Sequence, residues 1–480
     1  MNTENTIVRT RIAPSPTGIA HVGTAYIALF NYAFALQHKG NFIIRIEDTD
    51  RQRFVEGAEQ VIYDAMAWLG IPYEEAPDKG GPYAPYRQSD RLEIYHKYAE
   101  ELIEKGHAYY CFCSPSELDE MRKEQQKAGK LPMYDGRCRK IPLEQAKERA
   151  KTEKHVVRLH MPEEGKSTWH DLIRGEIEFE NALVDDQVLL KSDGFPTYHL
   201  AVVIDDHLME ITHILRGEEW ISSTPKHLVL YDYFGWEKPQ YAHMPLLRNP
   251  DHSKLSKRKN DVSITSYMEK GYLPEALLNF LALLGWSHPQ HEEVFSLQNF
   301  LENFTIDRMQ KTGPVFDLNK LNWMNGLYIR EKITESELIN RLKPFIPHDF
   351  PLEKLTEILP LIKERLVVLS DFESLTDFFY REFAVPTELL LKKTTTEELR
   401  TQLKETISLL EQKEWSLQII EVGIRELQEQ RNWKKSQYFM MLRVAVTGKT
   451  ATPPLFETMQ VLGKEKTLKR LRAALSAIEL

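Results

Sequence analysis

The chain has 480 residues and a formal net charge of −9, with 42% hydrophobic and 28% charged side chains. That length is too great for one core and predicts about three domains of ordinary globular composition. There is no run of eighteen apolar residues, no basic start followed by an apolar stretch, and only three cysteines; this argues against membrane insertion, secretion and a disulfide framework, so a cytoplasmic protein is expected.

Thr6 to Ile12 is β-branched and alternating, which predicts a short strand. Val22 to His38 carries apolar residues at helical spacing and stops at Gly40. Between them, Arg11 to Thr24 reads RIAPSPTGIAHVGT, a tight turn opening onto a helix N-terminus. Free N–H groups and the helix dipole favour an anion there, and His21 stands at the mouth, able to donate to a phosphate oxygen. Asn41 to Glu47 is a second alternating strand, Asp48-Thr49-Asp50 a turn, and Val55 to Leu69 an amphipathic helix stopped by Gly70. This βαβα alternation implies a doubly wound parallel sheet whose ligand lies at the carboxyl ends of the strands.

After a Pro- and Gly-rich loop from Pro77 to Tyr86, Ser89 is placed as the cap of a helix running to Lys105. Cys111 and Cys113, joined by Cys138 after a helical excursion, could hold three corners of a zinc tetrahedron, with no histidine close behind to supply the fourth and three free thiols as the plainer alternative. His155 to Met161 and Glu176 to Glu180 look like strands, and Gln187 to Lys191 is expected to pair with Phe195 to Ile204 across Ser192-Asp193-Gly194. Ala201 to Ile204 reads as a buried strand ending at Asp205-Asp206, and Ile211 to Leu215 and Tyr241 to Leu247 as further strands. Pro274 to Leu284 and most of Glu331 to Ile478 show helical periodicity. Two segments are locally basic: Arg431 to Arg472 holds ten Lys or Arg against two Glu, and Glu120 to Arg158 twelve against six acids. These are the candidates for facing a polyanion, a solvated helix face being the plainer alternative.

Lys254-Leu255-Ser256-Lys257-Arg258 follows a predicted strand and places cations and a hydroxyl in a polar loop. Together with His21-Val22-Gly23-Thr24 it resembles the two signatures of class I aminoacyl-tRNA synthetases, usually written HIGH and KMSKS. The PSPTG turn, Arg45 to Asp50 (RIEDTD), Arg216 to Trp220 (RGEEW), Phe316 to Leu321 and Leu442 to Lys449 resemble glutamyl-tRNA synthetases of the bacterial type in particular. The likeness covers nearly the whole chain. It implies an α/β Rossmann-type catalytic domain in two halves (1–90 and 196–260), interrupted by an inserted α+β domain for the tRNA acceptor end (91–195). A stem-contact domain (261–330) and an all-α anticodon-binding half (331–480) would follow.

The resemblance implies ATP-dependent activation of L-glutamate to glutamyl-adenylate, then transfer to the terminal adenosine of tRNA(Glu), with tRNA(Gln) a further possible acceptor and a monomer expected. Catalysis falls to His21, Lys254 and Lys257, which supply positive charge and alignment at the phosphates. Gly23, Thr24 and Ser256 join these three in holding ATP, which brings Mg²⁺. Glutamate has two carboxylates and one ammonium, so its pocket needs cations and an anion. The resemblance assigns Arg11, Ser15, Glu47, Tyr198 and Arg216 to it. Arg216 argues against a glutamine-specific relative, because an amide would leave its charge unpaired. Trp220 is placed near the substrate or in the core, and Asp205-Asp206 is read as a structural cap or a ribose or tRNA contact. Some relatives carry a structural zinc, and the likeness makes Tyr134 the fourth ligand beside Cys111, Cys113 and Cys138. Two departures stand out: Thr24 replaces the final histidine of the first signature, and Tyr26 stands where relatives commonly have arginine. The competing readings are a glutaminyl-tRNA synthetase, a shortened relative that attaches glutamate to a tRNA base, and a non-catalytic tRNA-binding paralogue.

Overall fold

The computed structural model describes residues 7–255, 261–392 and 394–479. Ser256 and Lys257 lie outside the described residues. The chain divides into two compact units, one of Met1–Met268 with Pro274–Leu318, the other of Glu269–Leu273 with Asn319–Leu480. No helix among the described residues is long and apolar enough to cross a membrane.

The first unit opens with β1 (Arg9–Ile12), α1 (Val22–Gln37), β2 (Asn41–Ile44) and α2 (Ala58–Leu69), β1 and β2 being parallel with Arg11 opposite Ile43. Gly40 is required where it stands, since a Cβ would lie 2.0 Å from the Val8 carbonyl oxygen. Gly70 ends α2 in the left-handed region, φ +67°, a conformation that side chains with a Cβ rarely adopt. After α3 (Leu92–Glu104) come β3 (Ala108–Cys111), α4 (Pro115–Lys127), α5 (Leu143–Ala150), β4 (Val156–Leu159), β5 (Lys166–Asp171), β6 (Gly175–Glu180) and β7 (Val188–Leu190). Then α6 (Tyr198–Leu208), β8 (His213–Gly217), α7 (Thr224–Phe234) and β9 (Gln240–Met244) follow.

The strands form a small antiparallel sheet in the order β3-β4-β7 and a larger one in the order β6-β5-β9-β8. β8 and β9 are parallel, with Arg216 paired to His243, and β5 joins β9 in parallel at Asp171 and Tyr241. β1 lies beside β8, the Thr212 N–H donating to the Arg9 carbonyl at 3.1 Å. Strands from three stretches of chain therefore converge, and their carboxyl ends face one opening.

Two expectations fail here. Tyr198 to Leu208 is a helix, so the expected pairing of Gln187–Lys191 with a strand to Ile204 reduces to Lys191 N–H on the Phe195 carbonyl at 2.9 Å and a bridge from Leu190 to Pro196. Leu200 to Asp206 is buried all round, packed against Tyr95, Val229 and Leu230, and a segment apolar on every side shows no helical period. Ser89 is no cap: it lies within a short 3₁₀ turn (Gln88–Arg91), and its N–H donates to Asp48 Oδ1 at 2.8 Å. β5, not expected from the sequence, alternates exposed and buried residues, KSTWHD, with Trp169 and Asp171 inward.

The second unit is helical and contains no strand among the described residues. The last helix (Lys464–Glu479) carries Arg470, which is buried and donates to the carbonyls of Val446 (2.7 Å), Phe378 (2.6 Å) and Arg381 (3.0 Å). One cation of the basic run thus ties helix ends together and does not face solvent.

Candidate active site

At the carboxyl ends of β1, β8 and β9, the first unit opens into a cleft of about 910 Å³. Arg11, Ser15, His21, Gly23, Thr24, Glu47, Tyr198, Arg216 and Lys254 all line it. The described members of the sequence-derived glutamate and nucleotide sets therefore share one cavity.

Its floor is a buried ion cluster. Arg11 gives Nε and Nη2 to the two Asp206 oxygens at 3.0 and 3.2 Å, and Arg45 Nη1 reaches Asp206 at 2.6 Å. Arg45 also meets Glu47 Oε1 at 3.1 Å and Asp205 at 3.6 Å. Asp205 takes further donors from Arg91 (2.8 Å), Gln88 (2.9 Å) and the Tyr95 hydroxyl (2.8 Å). Asp205 and Asp206, read from sequence as a cap or tRNA contact, are instead the internal counter-ions of this cluster. Burial acts to raise Asp206, yet Arg11 and Arg45 hold it below the ordinary carboxylate range. At Glu47 burial outweighs Arg45 and Arg11, and its carboxyl is pushed up to about 7.

Arg216 is different. Its Nε donates to His243 Nε2 (3.1 Å), its Nη1 to the Tyr198 hydroxyl (3.1 Å) and its Nη2 to Thr224 Oγ1 (2.9 Å). Among the described residues no Asp or Glu pairs with it. Trp220 packs on Tyr198, ring centroids 4.1 Å apart, and both line the cleft.

His21, which also lines the cleft, is the N-cap of α1, its Nδ1 accepting from the Gly23 N–H at 2.9 Å. That bond leaves Nε2–H as the ring's donor. The expectation of free backbone N–H groups at this helix end is not met. Val22 donates to Val262, Gly23 to the imidazole, and Thr24 and Ala25 to the His21 carbonyl. Lys254 is exposed, its Nζ 3.7 Å from Glu219 Oε1. Gly217 permits Glu219 its position, for a Cβ there would fall 1.9 Å from Glu219 Oε2. Tyr26 is buried in α1, edge-on to Phe30, and its hydroxyl has no hydrogen-bond partner among the described residues.

Residues 7–323 match the family described as tRNA synthetases class I (E and Q), catalytic domain, and residues 337–475 an anticodon binding domain. The chain is 50% identical over 475 residues to the glutamate–tRNA ligase of Acinetobacter baumannii (strain AYE), covering 98% of this chain and 94% of that one. It is 49% identical over 476 residues to that of Thermus thermophilus, covering 98% and 100%. The chain belongs to the class I glutamate–tRNA ligases. A solved glutamate tRNA ligase from Elizabethkingia meningosepticum, in complex with its amino acid, superposes on this synthetase with a TM-score of 0.85 at 35% identity, covering 98% of this chain and 100% of that one.

Away from the cleft, the synthetase brings its three cysteines together. The Sγ atoms of Cys111, Cys113 and Cys138 lie within 4.8 Å of one another. The Tyr134 hydroxyl is 3.5 Å from Cys111 Sγ and 3.6 Å from Cys113 Sγ. Cys111 ends β3, and Cys138 sits in a 3₁₀ turn (Arg137–Lys140) packed against it.

Sequence reasoning missed Asp171, His227 and His243 behind Arg216. A lone histidine inside the apolar strand Tyr241-Ala242-His243-Met244 was the available signal. Because Asp206 answers two buried arginines, Asp206→Asn is expected to destabilise the first unit by about 3–5 kcal/mol, leaving charge uncompensated. Thermal unfolding of the purified variant checks this, and a transition unchanged from the parent would contradict the cluster's role.

Proposed function

We infer that this chain activates L-glutamate with ATP and transfers it to the 3′-terminal adenosine of tRNA(Glu). The observation that carries the choice of amino acid is Arg216, a buried guanidinium in the cleft with no carboxylate partner among the described residues. A planar fork of this kind matches a carboxylate bidentately, and an amide would leave the charge unanswered. Arg216 takes the side-chain carboxylate of glutamate, supported by the Tyr198 hydroxyl, and Ser15 adds a hydroxyl at the rim. Glu47 takes the ammonium. Asp206 occupies two nitrogens of Arg11, so Arg11 contributes through Nη1 and by fixing the floor.

The α-carboxylate attacks the α-phosphorus of ATP, and pyrophosphate leaves. The protein's part in such a transfer is alignment and positive charge on the oxygens where charge develops. His21 Nε2–H, the Thr24 hydroxyl at the mouth of α1 and the Lys254 ammonium supply these from opposite walls, with the glycine at 23 keeping the backbone close. Ser256 and Lys257, further along the same signature, complete the nucleotide set. Mg²⁺ is placed with the nucleotide.

Three thiols and a phenol within mutual ligand distance suit a tetrahedral zinc ion. Cys111, Cys113, Cys138 and Tyr134 would hold it, and it would fasten the end of β3 to the following turns, outside the residues that line the cleft.

The deciding experiment charges purified tRNA(Glu) and tRNA(Gln) separately with labelled glutamate and labelled glutamine. Glutamate on tRNA(Glu) is expected. Glutamate on both would mean a non-discriminating enzyme, whereas glutamine transfer, or no transfer with ATP and Mg²⁺ present, would overturn the reading. Glu47 adds a pH signature. Its carboxyl, pushed up to about 7, is protonated below that value, and only the ionised form attracts an ammonium. The KM for glutamate is expected to rise as pH falls through about 7, approaching tenfold per unit; the Glu47→Gln variant should bind weakly with no such slope. For the thiol site, elemental analysis of the purified protein should find about one zinc per chain, and Cys113→Ser should lose it. A zinc-free parent would remove this assignment.

A further inference from the structure

Three neighbouring strands set three side chains in a line. β8 supplies Arg216, β9 supplies its pairing partner His243, and β5, paired with β9, ends in Asp171. All are buried, with exposures of 5%, 0% and 0%. Asp171 Oδ2 lies 2.6 Å from His243 Nδ1, and the same carboxylate accepts the backbone N–H groups of Ile173, Arg174 and His243. A carboxylate so surrounded only accepts, so Nδ1 carries the proton. His243 Nε2 then faces Arg216 Nε at 3.1 Å with its lone pair. A guanidinium has no acceptor and an imidazolium has none to offer, so the contact requires a neutral ring.

The same logic runs on the other side. His227 Nδ1 lies 3.3 Å from Arg216 Nη1, and His227 Nε2 lies 3.1 Å from His199 Nδ1, so His227 accepts from the arginine and donates onward. The remaining partners are the hydroxyls of Tyr198 and Thr224 and the Trp220 carbonyl. Among the described residues every acceptor around the guanidinium is therefore uncharged. Burial and the neighbouring Arg216 both act against protonation of these rings, placing His243 at about 4 and His199, from burial with Lys226 and Arg216, at about 3.

We propose that His243, oriented by Asp171, is a specificity-determining positioning residue that fixes the Arg216 fork with an uncharged nitrogen and so reserves its charge for the substrate's side-chain carboxylate. An aspartate or glutamate at 243 would hold the arginine equally well but would neutralise it, and glutamine would no longer be refused. Asp171 lends its negative charge from one imidazole ring away. That offsets burial of the cation without occupying its donors. The proposal rests on the assignment of Arg216 to the glutamate carboxylate.

The test is steady-state aminoacylation of tRNA(Glu) by the full-length protein, with glutamate and glutamine compared. His243→Ala is expected to raise the KM for glutamate roughly 10- to 100-fold, the size of one lost hydrogen bond to a charged group. The kcat at saturating glutamate and the KM for ATP should stay within about twofold, a split that general loss of folded enzyme does not produce. His243→Gln, an uncharged acceptor, should recover most of the loss. His243→Glu should lower the ratio of kcat/KM for glutamate over glutamine further than His243→Ala does. In an Arg216→Ala background, His243→Ala should have no further effect on the glutamate KM. If His243→Ala does not fold, the contrast between the Gln and Glu variants decides the matter. A loss in kcat alone, equal discrimination by the Gln and Glu variants, or full additivity with Arg216→Ala would overturn the proposal. An Arg216→Ala enzyme with the parent's glutamate KM would instead overturn the Arg216 assignment beneath it.

Discussion

The cluster in which Arg45 meets Asp205, Asp206 and Glu47 is the constraint on which the rest of the catalytic unit depends. Arg45 is wholly buried, and ions taken out of water are tolerated only with close, well-directed partners. Its partners come from the end of β2 and from α6, while Arg11 on β1 and Arg91 beside α3 share the same two aspartates. Satisfying these charges locks the carboxyl ends of the first two strands against a helix more than 150 positions away in the chain. The cleft floor is rigid because moving any one wall would strand a charge.

That rigidity makes selective use of charge possible. Arg11 and Arg216 both line the cleft, and sequence treats them alike as strand-end arginines. The structure sorts them: Arg11 is matched internally by Asp206, while Arg216 is surrounded by lone pairs that carry no charge. The unmatched cation is the one that a substrate anion can profit from, since a fully paired guanidinium has little Coulomb attraction left to give. Glu47 is the reverse case, an acid raised by burial and poised to ionise when an ammonium arrives.

What the sequence made legible follows from how local each signal is. The strand, turn and helix around His21 have short-range signatures and appear where expected, and so do the stops at Gly40 and Gly70. The helical second unit was readable from periodicity sustained over many turns. α6 was not, because complete burial erases the period by which a helix is recognised. The free N–H groups expected at the start of α1 escaped for another reason: they are consumed by His21 and Val262, and no composition rule reports where a donor is spent. Arg470 shows the same limit, counting as surface charge in a tally of basic residues while serving as a buried tie between helix ends.

The least legible feature is the line from Asp171 to Arg216, and topology explains why. Asp171 and His243 are separated by 72 positions, and β5 precedes β8 and β9 in the chain, with β6, β7 and α6 between it and β8. Neither residue touches the cleft, so neither belongs to a motif that a ligand would impose. Their role exists only because β5 pairs with β9, and β9 with β8, in a register that sets Arg216 beside His243. A shift of β9 by one residue would turn Ala242 or Met244 toward the arginine and leave its Nε without an acceptor. The chemistry of the pocket is thus written in strand register, which explains how an arginine recognisable from sequence owes its unneutralised charge to neighbours that sequence does not place.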